Sequence, residues 1–184
     1  MLTRGTKAGS RDEKISRMET YGFRRMTVAD LPTVWSWLTT SAVREWWIGV
    51  DGLPSAPITE TDLDAPDVAM WIVSHDGRPF AFLQDYDPHA VADHHFGHLP
   101  PRSRGIDQFI GDPDLIGCGH GPAFLRAHAQ ALFACGAPVL GTDPHPLNAR
   151  AIRAYEKAGF VRGAERMTEW GPCLLMTLSA DKLG

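Results

Sequence analysis

Asn148-Ala-Arg-Ala151-Ile-Arg-Ala-Tyr155-Glu-Lys157-Ala-Gly159-Phe160 decides how this chain is read. Asn148 is suited to cap a helix, because its short side-chain oxygen can accept from an unpaired amide in the first turn. Gly159 is a natural stop, since a helix often closes on a residue with positive φ. Between them Ile152 and Tyr155 share an apolar face. PVLGTD (Pro138–Asp143) precedes this helix as a strand. VRGAERM (Val161–Met167) and CLLMTLS (Cys173–Ser179) follow it as a hairpin. The segment therefore reads as a strand–helix–strand crossover.

Upstream the signals are mostly antiparallel. MWIVSH (Met70–His75) and RPFAFLQDYD (Arg78–Asp87) flank Asp76-Gly77, a dipeptide suited to a type I′ hairpin turn. YGFRRM (Tyr21–Met26) alternates like a strand. Thr27 or Asp30 can cap the helix that runs through Val34, Trp35 and Leu38. VREWW (Val43–Trp47) reads as a helical turn with an aromatic tip, and Gly49 to Pro66 as loop. Pro88 to Arg102 is irregular and holds His89, His94, His95 and His98. RGIDQFIG (Arg104–Gly111) is a buried strand. The run after Gly121 is a helix with Phe124, Leu125, His128 and Leu132 on one face, closed by Gly136. No internal repeat is visible. This order describes an α/β (α+β) domain over residues 21–184 with a mostly antiparallel sheet, after a loose, polar tail over 1–20.

Composition narrows the class. A chain of 184 residues can bury a core without metal or disulfide support. A net charge of -4 argues against a nucleic-acid or anionic-membrane partner, whose phosphates call for a basic patch, and is compatible with a cationic substrate. Cys118, Cys135 and Cys173 are an odd number without metal-ligand spacing, which points to a reducing cytoplasm. No apolar run approaches the roughly 18 residues of a membrane span.

IGCGHG (Ile116–Gly121) lies between a strand and a helix. Glycines let backbone N–H groups approach an anion, and a helix N-terminus adds a favourable dipole. A pyrophosphate site and a plain tight turn are both open to this segment. A dinucleotide-binding βαβ unit is disfavoured, because its third glycine would fall at Pro122 and the strand-to-glycine loop from Asp112 to Ile116 is too long.

Together, the glycine segment and the Asn148–Phe160 motif resemble the GNAT superfamily of acetyltransferases, from about Tyr21 to Ser179. The resemblance implies a mixed, mostly antiparallel sheet flanked by helices, with the central parallel strands, Arg104–Gly111 and Pro138–Asp143, splayed apart to admit pantetheine. It implies that Ile116, Gly117, Cys118, Gly119, His120 and Gly121 hold the pyrophosphate of acetyl-CoA. Phe109, Ile110, Asn148, Tyr155 and Lys157 would complete that site. EWW (Glu45–Trp47), RGIDQ (Arg104–Gln108), TDPHPLNARAIRAYEKAGF (Thr142–Phe160) and GP (Gly171–Pro172) look like the aminoglycoside 6'-N-acetyltransferases in order. That likeness implies a cytoplasmic enzyme of the antibiotic-resistance type. Asp107, Asp143 and Tyr155 would be catalytic, and Trp46, Trp47, Gln84, Asp85, Tyr86 and Trp170 would join both aspartates around the acceptor. Siderophore acyltransferases share the general plan, but their histidine-centred motif is not evident.

The residues support the same chemistry on their own. An amine arrives as ammonium and must lose a proton before attack, and a carboxylate can hold the cation and take that proton. The phenol of Tyr155 can donate to a departing thiolate. No covalent enzyme intermediate is needed, so the cysteines can be packing residues; Cys118, at a helix N-terminus, is the one open to activation. Plainer roles stay open: Asp107 pairing with Arg104, Asp143 starting a turn before Pro144, Tyr155 as core, Trp46 and Trp47 as anchors. The chain also departs from the family. Ile116 stands where Gln or Arg is usual. VADHHFGHLPPRS (Val91–Ser103) replaces an acidic, tryptophan-rich loop, and Trp170 replaces an acid. Asp85, Asp87 and Asp93 are candidates to compensate. A smaller amine such as a polyamine or siderophore precursor, or a non-catalytic acyl-CoA-binding role, are the alternatives. The four histidines read as a solvated loop rather than a metal site, and their number suggests pH-sensitive binding.

Overall fold

Phe80, Ala81, Phe82 and Leu83 follow one another and are all fully buried, an apolar run that only a strand covered on both faces can hide. They belong to β3 (Arg78–Tyr86) in a computed structural model that describes residues 21–49 and 52–182. The loose segment expected over residues 1–20 lies outside the described residues. Around β3 run β1 (Tyr21–Arg25), β2 (Val68–His75), β4 (Arg104–Ile110), β5 (Val139–Thr142), β6 (Val161–Thr168) and β7 (Gly171–Ser179). The sheet order is β1-β2-β3-β4-β5-β7-β6. Every neighbouring pair is antiparallel except β4 and β5.

The helices are α1 (Leu31–Leu38), α2 (Ser41–Arg44), α3 (Glu60–Leu63), α4 (His120–Ala134) and α5 (Ala149–Ala158). Phe124 and Leu125 of α4 and Ile152 of α5 close one face of the sheet over Leu83, Ile106 and Leu140. Val34 and Trp37 of α1 close the other over Ile72, Phe82 and Phe109. Asp76 and Gly77 join β2 to β3 with φ of 49° and 78°, the left-handed pair that a type I′ turn needs. Asn148 Oδ1 accepts from Ala151 N–H at 3.1 Å, and Gly159 ends α5 at φ 110°. The stretch from Gly49 to Pro66 is not all loop. It contains α3 and a bridge between Ile48 and Pro54, because Thr59 and Asp62 form a reciprocal cap that sequence spacing alone left unread.

The parallel pair is short. Arg104 faces Leu140 and Gly105 faces Gly141, and no further residues of β4 and β5 pair. Both glycines have a packing reason. The Tyr86 ring lies where a Cβ on Gly105 would point, and a Cβ on Gly141 would meet the Phe96 ring at 3.0 Å. Phe96 is fully buried, so the irregular Pro88–Arg102 stretch is pinned to β5 at its middle.

Asp85 corrects one expectation. Its side chain does not face an acceptor site but is buried on the helix-covered side, 3% exposed. Trp71 Nε1 donates to it at 2.7 Å, Arg104 Nε at 2.9 Å, and His128 Nε2 lies at 3.2 Å. Burial pushes its pKa up, but the bonds with His128, Trp71 and Arg104 outweigh burial and hold the carboxyl below its usual range. The same geometry removes Arg104 as a partner for Asp107. Asp85→Ala takes the shared carboxylate from the partly buried Arg104, the Trp71 N–H and the buried His128, and urea denaturation should show a loss of about 3–5 kcal/mol. A loss near zero would mean that the network does not hold the strands to α4.

Candidate active site

Beyond Gly105 and Gly141 the strands part, and a cleft of about 1110 Å³ opens at their C-terminal ends. Ligands of α/β sheets gather there, because the loops leaving the strands and the helix N-termini converge on that edge.

One end of the cleft is built by the glycine segment. Gly117 and Gly119 take φ of 81° and 89°, and α4 begins at His120 with its first amides unpaired by the helix. Ile116, Gly117, Gly119 and Gly121 line the cleft. The side chains of Cys118 and His120 do not. Cys118 is exposed, and His120 Nδ1 meets the Tyr21 hydroxyl at 2.8 Å, so these two residues offer the turn only their backbone. Phe109, Ile110 and Asn148 line the cleft, as does Lys157. Arg150 and Arg153 join Lys157 there, three cations spaced along one face of α5. Sequence reading took only Lys157, although the spacing was visible.

The other end is acidic and aromatic. Asp107 from β4 and Asp143 just beyond β5 face the cleft, and Gln84 Nε2 donates to Asp107 Oδ2 at 2.9 Å. Burial, then the Asp143 carboxylate, raises the Asp107 pKa to about 7, against the pull of Gln84 and His95. Tyr155 is 4% exposed at the foot of the cleft. Burial, then Asp107, pushes its phenol well above the ordinary value, so it keeps its proton. Tyr86, between β3 and the same carboxylates, is raised for the same first reason. The buried thiol of Cys173 is pushed up to about 11 by burial and then by Asp143, and stays protonated near neutrality.

The tryptophans divide the two roles open to them. Trp47 packs edge-on against Phe109 and Phe82, at 5.0 and 5.8 Å, while Trp46 faces His145 at 5.4 Å; both line the cleft. Trp170 lines it too, near His94 and His95. Three acids that sequence reading did not place in the site, Glu45, Asp62 and Asp67, also line the cleft, as does Asp87, which it had named as a candidate. They come from separate elements, so no local spacing groups them. Asp93 is absent from this lining. The histidines diverge: His89 turns to Asp87 and the Leu99 carbonyl, His98 to the His95 carbonyl, and His94 stacks on His95. Among the described residues no group of three or more His, Cys, Asp or Glu side chains is placed to hold a metal ion. No helix among them is long and apolar enough to cross a membrane.

One cleft is thus lined by the unpaired amides of a helix start, by cations and by carboxylates. Residues 26–168 match the family described as the acetyltransferase (GNAT) domain. The aminoglycoside N(6')-acetyltransferases type 1 of Klebsiella pneumoniae and Serratia marcescens are each 35% identical over 160 residues, 83% of this chain and 80% of theirs. The crystal structures of AAC(6')-Ib with paromomycin and acetyl-CoA, and with kanamycin and coenzyme A, superpose with TM-scores of 0.78 and 0.76. Each is 31% identical and is covered to 96%, against 89% of this chain. The chain belongs to the GNAT family of acetyltransferases.

The raised Asp107 pKa has a consequence for stability. A carboxyl whose folded pKa lies above its unfolded value costs nothing below the unfolded value, and the cost grows until pH passes the folded value. Asp107→Asn should therefore melt increasingly above the parent protein as pH rises from about 4 to about 7, with a constant gap beyond that. Melting curves that stay parallel across this range would show that Asp107 is not raised.

Proposed function

We propose that the protein transfers an acetyl group from acetyl-CoA to a primary amine, the 6'-amine of an aminoglycoside, by direct attack within a ternary complex. The observation that carries this reading is that one continuous cleft, opened where β4 and β5 part, is lined both by the glycine turn with the cations of α5 and by Asp107, Asp143 and Tyr155. Acetyl-CoA, when bound, supplies an activated thioester. Backbone amides from Gly117 to Gly121 suit its pyrophosphate, with Arg150, Arg153 and Lys157 adding positive charge on the facing helix. Those cations answer the missing polar side chain at Ile116. The gap beyond Gly105 and Gly141, flanked by Phe109 and Ile110, suits the narrow pantetheine arm.

At the acidic end, Glu45, Asp62, Asp67 and Asp87 suit the ammonium groups of a polycation, doing the work of the acids absent from Val91–Ser103. Trp46 and Trp170 offer faces for sugar rings. Asp107 is matched to take a proton from the attacking ammonium near neutral pH, because its pKa of about 7 keeps it basic without leaving it protonated. Asp143 and Gln84 orient that step. Tyr155 retains its proton and donates a hydrogen bond where sulfur charge develops. In this reading residues 21–184 act as one catalytic domain, and residues 1–20 take no part. The free cysteines and the supply of acetyl-CoA favour the cytoplasm.

Thiol release should appear when the protein is mixed with acetyl-CoA and a kanamycin-type aminoglycoside, with the new acetyl group on the 6'-nitrogen by NMR. Turnover with simple polyamines and none with any aminoglycoside would replace the proposed acceptor. Turnover should rise with pH through about 7, as Asp107 loses its proton. Asp107→Asn should lower kcat by about a hundredfold to ten-thousandfold. Tyr155→Phe should lower kcat while CoA affinity, measured by calorimetry, stays near the parent value.

A further inference from the structure

His95 takes no part in the chemistry assigned above, yet it is held as firmly as any residue of the site. Its ring stacks on His94 with centroids 4.2 Å apart, lies 4.5 Å from the buried Phe96 ring and meets Trp170 edge-on at 6.0 Å. Phe96 is itself seated over Gly141, the last residue of β5 paired with β4. The imidazole therefore sits in a vice of three rings fixed to the strand that delivers Asp143. Its Nε2 is fully buried and finds no aligned hydrogen-bond partner among the described residues. The Asp143 carboxylate lies beside it, with Oδ2 3.1 Å away at an angle short of a linear hydrogen bond. A buried ring nitrogen is costly to leave unpaired, and a small adjustment of this contact satisfies it.

We propose that His95 is a positioning residue for the transfer: its Nε2–H holds the Asp143 carboxylate, and so directs the proton shared by the two cleft carboxylates onto Asp107. The proposal rests on the acetyl-transfer reading above. Two carboxylates facing one cleft do not both ionise easily. A donor fixed on Asp143 favours charge there, which leaves Asp107 as the member that titrates and faces the amine. No bond beyond the shared proton is made or broken by His95.

The groups around this contact act in known directions. His94 is stacked on the ring, with His89 behind it in the same loop. Asp107 on β4 feels His95 as a lowering influence and Asp143 as a raising one. Tyr86 on β3, Tyr155 on α5 and Cys173 on β7 face the carboxylates, and all three stay protonated, so they do not compete for negative charge. Gln84 also favours ionised Asp107, and removing His95 takes away the second group that does so, so its titration should move up.

The test compares kcat against pH for the parent, His95→Phe and His95→Gln at saturating acetyl-CoA and aminoglycoside. In His95→Phe, which keeps a ring between His94 and Trp170, the acid limb should shift upward by about half a unit, a loss of about threefold at about pH 6.5 with near-parent kcat at about pH 9. His95→Gln, which keeps a donor, should restore the limb, and neither variant should change the KM for acetyl-CoA. An equal fractional loss at every pH in both variants would reduce His95 to packing. A second readout needs no substrate: nitrogen NMR of the parent should show a protonated, pyrrole-type Nε2 for His95. A pyridine-type Nε2 in an active parent overturns this proposal alone. Absence of turnover in the parent instead overturns the acetyl-transfer reading, and with it the catalytic purpose of His95.

Discussion

Everything in the site depends on the failure of β4 and β5 to stay paired. Two residues on each strand meet and then the ladder ends, so the middle of a seven-stranded sheet is open along its C-terminal edge. A parted strand pair leaves backbone amides and carbonyls without partners, which is tolerable only where water or a ligand can take the bonds. The opening is therefore a binding feature by construction. It is anchored at its closed end by close approach: Tyr86 leaves no room for a side chain at Gly105, and Phe96 crowds one at Gly141. The Asp85 network ties β2, β3, β4 and α4 together just behind that point, so the strands diverge from a rigid base.

The opening carries charge of both signs. Cations of α5, the amides at the start of α4 and six carboxylates from separate elements line the same cleft. An acidic chain can therefore present positive as well as negative local potential, since attraction follows local potential rather than net charge. The cleft also sets the acid–base pattern. Burial raises Asp107, and burial, reinforced by the nearby carboxylates, keeps Tyr155, Tyr86 and Cys173 protonated. One titrating base among several fixed acids is an arrangement suited to accepting a single proton near neutrality.

Much of this was legible from local pattern. The Asp76-Gly77 hairpin and the α5 boundaries at Asn148 and Gly159 occupy the positions that their spacing predicted, and the glycine turn and the two aspartates, which the family resemblance singled out, line one cleft. What misled was burial. Asp85 sits beside Gln84 and Tyr86 in sequence, but alternation along β3 turns it to the opposite face, where Arg104 and His128 neutralise it. The acids Glu45, Asp62 and Asp67 were not read as site residues for the opposite reason: they are far apart along the chain, and only the fold brings them to one cleft.

The sequence alone determined the elements and the family, because capping, turn and periodicity signals act over a few residues and survive without knowledge of the rest of the chain. Tertiary structure alone decided the chemistry of individual groups. Whether an aspartate is a base or a clamp, and whether a histidine is free or aimed at a carboxylate, follows from solvent access and from neighbours distant along the chain. The 3.1 Å contact between His95 and Asp143 joins residues separated by the whole of β4 and α4, and no local pattern encodes such a distance.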